Sequence, residues 1–156
     1  MDSDHARLLL ARERERVESL LAMETRHRFA EHLGEVELEL EAPTEEGVFV
    51  AALDAFAELV STGGRGEPAE HELELDAGDR SLLLADWLGE LVFLAETEGF
   101  VADRVTAFEL VDGRLRATVA GRRSCNPRQL VKAVTLHRLE LREEGGGWHG
   151  RVVLDV

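Results

Sequence analysis

The chain has 156 residues, 44% of them hydrophobic, which suits one domain with a single core. Its formal charge of −14 argues against direct nucleic-acid binding, which needs clustered Lys and Arg, and favours a basic partner protein or a divalent cation. A single cysteine excludes an internal disulfide, and no secretory signal or membrane-length apolar run is present, so we expect a cytoplasmic protein with no membrane association.

Residues 5–22 predict a helix, because helix-forming residues dominate and the Arg/Glu alternation offers pairs four residues apart. We expect residues 1–25 to form a helical N-terminal extension, to which we assign no function. Residues 26–156 are expected to form a single α+β domain.

The stretch from Arg28 to Leu40 has a strand pattern in which apolar residues alternate with glutamates. This pattern predicts one buried face and one acidic face. Thr44 is a candidate N-cap for a following helix, which the glycine-rich segment STGGRG at 61–66 is expected to end.

A short strand over residues 70–75 precedes a longer helix, capped by Asp79 or Ser81 and ending near Gly99. That second helix is apolar nearly all round, so we expect it to be covered on several sides and to lie at the centre of the domain. Its apolar residues are Leu82, Leu83, Leu84, Trp87, Leu88, Leu91, Val92, Phe93 and Leu94.

The remainder of the chain predicts two β-hairpins separated by a loop around Asn126-Pro127. The first hairpin turns at Asp112-Gly113 and the second at the glycines 145–147. The predicted fold class is α+β, with two helices packed against a largely antiparallel sheet in a layered sandwich.

Signatures of catalysis are missing from the sequence: there is no phosphate-binding loop, no HExxH zinc motif and no nucleophile elbow. We therefore expect a protein that is not an enzyme. Lys132 is the single lysine beside 17 arginines, which suggests a place where a compact ammonium is needed. Asp155 and Val156 follow a predicted strand and offer the oxygen donors that calcium and magnesium prefer.

Three local matches, in the right order, carry a resemblance to a known family. Residues 87–100 are similar to the stretch DWLNELLYLxETEG of the archease family, residues 131–137 to VKAVTYH, and residues 152–156 to the terminal VxFDI. With Glu31-His32 near the domain start, these matches span about 130 residues, so the chain resembles an archease from about Arg26 onward.

The resemblance implies an accessory protein of the tRNA-splicing RNA ligase, which joins RNA ends carrying a 2′,3′-cyclic phosphate or 3′-phosphate. Such a protein helps the ligase to become guanylylated and to turn over. The implied metal ligands are Glu35, Asp155 and Val156, holding calcium or magnesium, and the implied partner-activating residues are Lys132, His32 and His137.

Two of the family's motifs are altered in this chain. The early His-Thr-Ala-Asp motif is here His32-Leu33-Gly34-Glu35, and the tyrosine before His137 is Leu136. Glutamate is still a hard oxygen donor, but its extra methylene moves the carboxylate and changes the spacing of the site.

Two other readings remain open beside the ligase activator. The first is a diverged archease-like binding module, or a chaperone for another client, which has lost the metal site. The second is a metal-dependent hydrolase that uses Glu35 and Asp155, and this reading requires the two carboxylates to lie close together.

Overall fold

The structure, a computed structural model, describes residues 3–60, 66–123 and 131–156. The glycine-rich segment at 61–65 and the Asn126-Pro127 loop lie outside these described residues. Three helices and seven strands are found among them, in the order α1 (Ser3–Ala22), β1 (Arg26–His32), β2 (Glu35–Ala42), α2 (Glu45–Val60), β3 (Glu67–Asp76), α3 (Arg80–Glu98), β4 (Phe100–Val111), β5 (Arg114–Arg123), β6 (Ala133–Glu144) and β7 (Gly147–Asp155).

The strands form two antiparallel sheets. The four-stranded sheet has the order β1-β2-β7-β6, and the three-stranded sheet has the order β3-β5-β4. Helices α2 and α3 lie between the sheets, and each contacts strands of both. The predicted α+β class and layered antiparallel architecture are confirmed.

Helix α2 begins where the sequence predicts, since the Thr44 hydroxyl accepts a hydrogen bond from the Gly47 amide at 3.1 Å. Most of α2 is buried, including Phe49 and Phe56, which are completely inaccessible. Helix α2 is therefore more enclosed than α3, and it shares with α3 the layer between the two sheets.

Helix α3 has the predicted ends. The Asp79 carboxylate accepts hydrogen bonds from the Ser81 and Leu82 amides, and Gly99 closes the helix with a φ of 62°. Burial on all sides is not found, because Leu82 is 41% and Phe93 56% exposed. One stripe of α3 stays open since the two sheets leave that side uncovered.

The N-terminal strand region differs from its prediction. The pattern over Arg28–Leu40 is broken at Leu33-Gly34, where the chain turns and pairs β1 with β2 as a hairpin. Gly34 has a φ of 74°, the left-handed conformation that glycine adopts without strain. The later hairpins turn at Asp112-Gly113 and Gly145-Gly146, as the sequence predicts.

Helix α1 spans Ser3–Ala22 and contacts β4 and α2. Only Val17 and Leu20 of this helix are buried, so the contact is confined to its second half. Whether residues 1–25 form an extension separate from the domain at 26–156 stays a prediction. Within the described ranges, no helix is long and apolar enough to cross a membrane.

Candidate functional site at one end of the four-stranded sheet

One row of residues crosses the four-stranded sheet at the end where β1 finishes and β2 begins. His32 is paired with Glu35, Glu35 with Asp155, and Asp155 with Ala133. Directly opposed residues point to the same face of a sheet, with Cβ atoms about 5 Å apart. The Glu35 and Asp155 carboxylates therefore leave adjacent strands side by side.

This row lies on the face turned away from α2 and α3. Val36, Leu38 and Leu40 are buried towards the helices, so the alternating odd-numbered residues of β2 point outward. Glu35 and Asp155 are both half-buried. A partner approaching the outer face of the sheet can reach them directly.

Backbone hydrogen bonds hold the neighbouring segments in place. The Val156 amide donates to the Gly34 carbonyl at 2.9 Å, and the Lys132 amide donates to the Asp155 carbonyl at 2.8 Å. Val156 is thereby fixed beside the β1–β2 turn, and Lys132 beside Asp155. The sheet thus brings together five of the six predicted site residues, His32, Glu35, Lys132, Asp155 and Val156.

His137 is the predicted site residue that does not join this row. It lies in β6 between Thr135, which pairs with Val153, and Glu140, which pairs with Arg151. The register shift leaves residues 136–139 without regular partners, and His137 is exposed there. It sits on the same strand as the row but is displaced from the carboxylates.

The donor chemistry of the row fits a hard divalent cation in part. Glu35, Asp155 and an oxygen of Val156 are ligand types that calcium and magnesium accept. Among the described residues, no group of three or more His, Cys, Asp or Glu side chains converges to hold a metal. A cation at this place would be held by two carboxylates and main-chain oxygen, with water completing its shell.

Next to this row lies a charged cluster that the sequence pattern misses. Glu37, two residues along β2, is only 5% exposed although it points to the outer face. Its Oε1 lies 3.0 Å from Arg138 Nη1 and 4.0 Å from Arg151 Nε. The Arg151 Nε also donates to the Arg138 carbonyl at 3.0 Å.

The acidic outer face of β2 is therefore not open to solvent at Glu37. The displaced segment of β6 carries Arg138 over this carboxylate, and Arg138 has a φ of 58°. The hydroxyl of Thr135, in the same row as Glu37, is also buried and has no hydrogen-bond partner in the described part of the chain. The only sequence signal at this position is the unbroken run of alternating glutamates in β2.

Two leucines flank the carboxylate row on the outside. Leu33, in the β1–β2 turn, is fully exposed, and Leu136, in the displaced segment of β6, is 64% exposed. At both positions the sequence departs from the archease motifs. They give an otherwise charged end of the sheet two apolar contact points.

Comparison with known proteins gives one consistent result. The model of the Archease protein family matches residues 27–156. Protein archease of Pyrobaculum neutrophilum is 31% identical over 139 residues, covering 83% of this chain and 95% of that protein. Protein archease of Methanosarcina mazei is 30% identical over 140 residues, covering 84% and 96%.

Solved structures agree with the sequence comparison. The solution structure of a Methanobacterium thermoautotrophicum protein has a TM-score of 0.64 at 29% identity, and covers 83% of this chain and 98% of its own. The crystal structure of a Thermotoga maritima archease, described as a possible chaperone, has a TM-score of 0.58 at 20% identity, covering 84% and 98%. The second likeness concerns the fold alone.

The family match and the identities extend over the whole region that carries the carboxylate row. This region includes the β1–β2 turn, β6 and β7. The relatives are named as archeases and not as enzymes. The chain therefore belongs to the archease family.

Proposed function

We propose that this protein is an accessory activator of a tRNA-splicing RNA ligase, which seals ends carrying a 2′,3′-cyclic phosphate or 3′-phosphate. One observation carries the proposal: Glu35 and Asp155 lie side by side, with Lys132 and His32 next to them, at an accessible end of the sheet. The protein docks on the ligase through this end of the sheet and promotes guanylylation and repeated turnover of the ligase.

The chemistry available to this site is positioning and electrostatics. The Lys132 side chain is exposed, so its ammonium is available to an anionic group of the partner. The Lys132 amide is hydrogen-bonded to the Asp155 carbonyl, so the negative charges of Glu35 and Asp155 lie on the strands next to the Lys132 backbone. Such a fixed pair of opposite charges can orient groups in a neighbouring active site without any covalent step.

Glu35, Asp155 and an oxygen of Val156 would hold a calcium or magnesium ion at this site. A bound divalent cation would supply a compact positive charge for phosphate oxygens of the partner or its nucleotide. The residues of this chain contribute the rigid frame. The backbone bonds from Val156 to Gly34 and from Lys132 to Asp155 hold the donors at fixed spacing.

The test is multiple-turnover RNA ligation by the ligase of the same organism, at limiting GTP, with and without this protein. We expect the wild-type protein to restore turnover, and Lys132→Ala and Asp155→Ala to fail while remaining folded. Glu41→Ala is the matched control, because Glu41 is exposed on the same face of β2 at the opposite end of the strand. Loss of activity in the control as well would contradict a local site.

A diverged binding module for another client is the second candidate, and one observation favours it. Leu33 and Leu136 give this chain apolar contacts where the family motifs have polar or aromatic residues. This candidate would be supported over the ligase activator if the purified ligase and the purified protein do not associate and the wild type does not stimulate turnover.

A further inference from the structure

One side of helix α3 is not covered by either sheet, and it exposes two large apolar side chains. Leu82 is 41% exposed and Phe93 is 56% exposed. Successive residues of a helix point about 100° apart, so residues 82, 89 and 93 point within about 40° of one another. Leu82, Gly89 and Phe93 therefore lie on one side of α3, which we call the α3 stripe.

Gly89 lies near the middle of the α3 stripe, and no contact within the described part of the chain requires a glycine there. A Cβ at this position would meet nothing within 4 Å. Its φ is not positive, unlike that of Gly99 at the end of the helix. Glycine within a helix is less favourable than alanine, so α3 loses stability here without any gain in its own packing. The missing side chain leaves room for another molecule to approach the helix backbone closely.

Carboxylates flank the α3 stripe on both sides. Asp86 and Glu90 lie on one flank, about 40° and 80° from the line of the stripe, and Glu96 lies about 40° away on the other flank. Among the residues that the structure describes, none of these three carboxylates forms an ion pair. Glu39, on the outer sheet face, differs because Arg28 pairs with it. A positively charged partner therefore meets uncompensated negative charge on both sides of the stripe.

We propose that the α3 stripe is the docking site for a basic amphipathic helix of a partner protein. The apolar side of that helix packs between Leu82 and Phe93, with a small residue against Gly89, where the two helix backbones come close. Its lysines or arginines lie against the carboxylates on the two flanks. This surface is separate from the carboxylate row, which lies on the sheet face turned away from α3.

The size of the α3 stripe sets the strength of this contact. From Leu82 to Phe93 the helix rises about 16 Å, or about three turns. A contact of this length is smaller than a standard stable interface, so we expect reversible binding. Opposite charges on both flanks orient the partner helix and make the association weaker at high salt.

Fluorescence anisotropy with a labelled synthetic peptide and the full chain tests the docking. The peptide has about 18 residues, with leucine and alanine on one helical face and lysine on both flanks. A second peptide has the same composition, but its leucines are distributed all round the helix. We expect the first peptide to bind at least tenfold more tightly than the second. Equal affinities, or no binding of either peptide, overturn the proposal.

The apolar contact is tested by Phe93→Ala, which should weaken binding of the first peptide at least fivefold. Val111→Ala is the matched control, because Val111 is 53% exposed on β4 and lies outside the stripe. This control should bind the peptide as the wild type does. An equal loss in both variants overturns the assignment of the stripe.

The charge contact is tested at constant net charge. Asp86→Asn combined with Glu90→Gln should weaken binding of the first peptide at least fivefold. Glu70→Gln combined with Glu72→Gln removes the same charge from exposed positions of β3 and should leave the affinity close to that of the wild type. Equal losses in the two double variants would show attraction to the whole acidic chain and would overturn the proposal.

Gly89→Gln separates docking from folding. Glutamine favours a helix more than glycine does, so this variant should resist thermal unfolding at least as well as the wild type. Its side chain fills the place where the partner helix packs, so peptide binding should weaken at least tenfold. Unchanged binding contradicts the close approach at Gly89. None of these variants alters the carboxylate row, so the outcome is independent of ligase activation.

Discussion

Arg138 Nη1 lies 3.0 Å from Oε1 of Glu37, whose side chain is only 7% exposed although it lies on the outer face of the sheet. This ion pair joins the displaced segment of β6 to β2 across the intervening strand β7. Arg138 keeps a left-handed φ of 58°, which a non-glycine residue adopts only when its surroundings hold it there. The pair therefore fixes the segment that carries Leu136 and His137.

Removing the arginine of this pair should destabilise the protein. Arg138→Ala leaves Glu37 buried beside only the more distant Arg151, and we expect unfolding free energy to fall by about 1–3 kcal/mol. Arg28→Ala is the control, since Arg28 pairs with Glu39 on the same face but is largely exposed, and should cost about 0–1 kcal/mol. Urea unfolding measures the free energy of unfolding of both variants. Equal losses of that free energy in Arg138→Ala and Arg28→Ala would refute a special role for Glu37.

Divalent cation binding should depend on Glu35 and Asp155. We expect Asp155→Asn and Glu35→Gln each to weaken calcium or magnesium binding by roughly tenfold or more in titration calorimetry, because each removes a charged oxygen donor. Glu35→Asp restores the residue type of the family motif and should bind at least as tightly as the wild type. Wild-type protein that binds neither cation would remove the metal from the proposed function.

Alanine substitution at two glycines should change the stability of the protein in opposite directions. A Cβ at Gly121 would lie 1.9 Å from the Val101 carbonyl oxygen, where β5 faces a bulge of β4, so Gly121→Ala should cost about 3 kcal/mol or more. Gly89, within α3, has open space around its Cβ direction, and Gly89→Ala should stabilise the protein by about 0.5–1 kcal/mol. Thermal unfolding of both variants checks this; a stabilised Gly121→Ala would disprove the close strand approach.

Stability should vary with pH through Asp54 of α2. Burial raises the pKa of the Asp54 carboxyl, and nearby His27 offsets only part of that rise. The folded chain therefore holds this proton more tightly than the unfolded chain, so the contribution of Asp54 to stability falls as pH rises through the raised pKa. Asp54→Asn should be more stable than wild type near pH 7 and equal to it below about pH 4.

The control for this pH effect is Asp86→Asn, because Asp86 is an exposed carboxylate on α3. Its unfolding free energy should follow the wild-type pH profile in guanidinium titrations. If Asp54→Asn and Asp86→Asn give the same profile, desolvation of Asp54 is not the cause.

Local signals in the sequence predict the element ends well. Each helix end depends on a residue at that end: Thr44, Asp79 or Gly99. The first hairpin turn depends only on the backbone angles of Asp112-Gly113. Interactions between residues close in sequence are therefore sufficient to predict these element ends. The burial of Glu37 depends instead on a register shift in β6, which lies about 100 residues later in the chain. No pattern within β2 distinguishes Glu37 from the less buried Glu35 and Glu39.

The candidate site was only partly predictable for the same reason. The resemblance to archeases identifies Glu35 and Asp155, but their direct opposition follows from the β2–β7 register. His137 belongs to the same motif as Lys132, yet the displaced segment of β6 moves it out of the row. Motif spacing along a strand predicts spatial neighbours only while the strand stays regular.

The β2–β7 pairing also governs when the site can form. Glu35 and Asp155 are 120 positions apart (155 − 35), and a single ladder joins the β1–β2 hairpin to the β6–β7 hairpin. Each hairpin can close early by local contacts, whereas the ladder between them must wait for a long-range encounter. The carboxylate row is therefore assembled late in folding. An intact site indicates that the two hairpins of the four-stranded sheet have paired through β2 and β7.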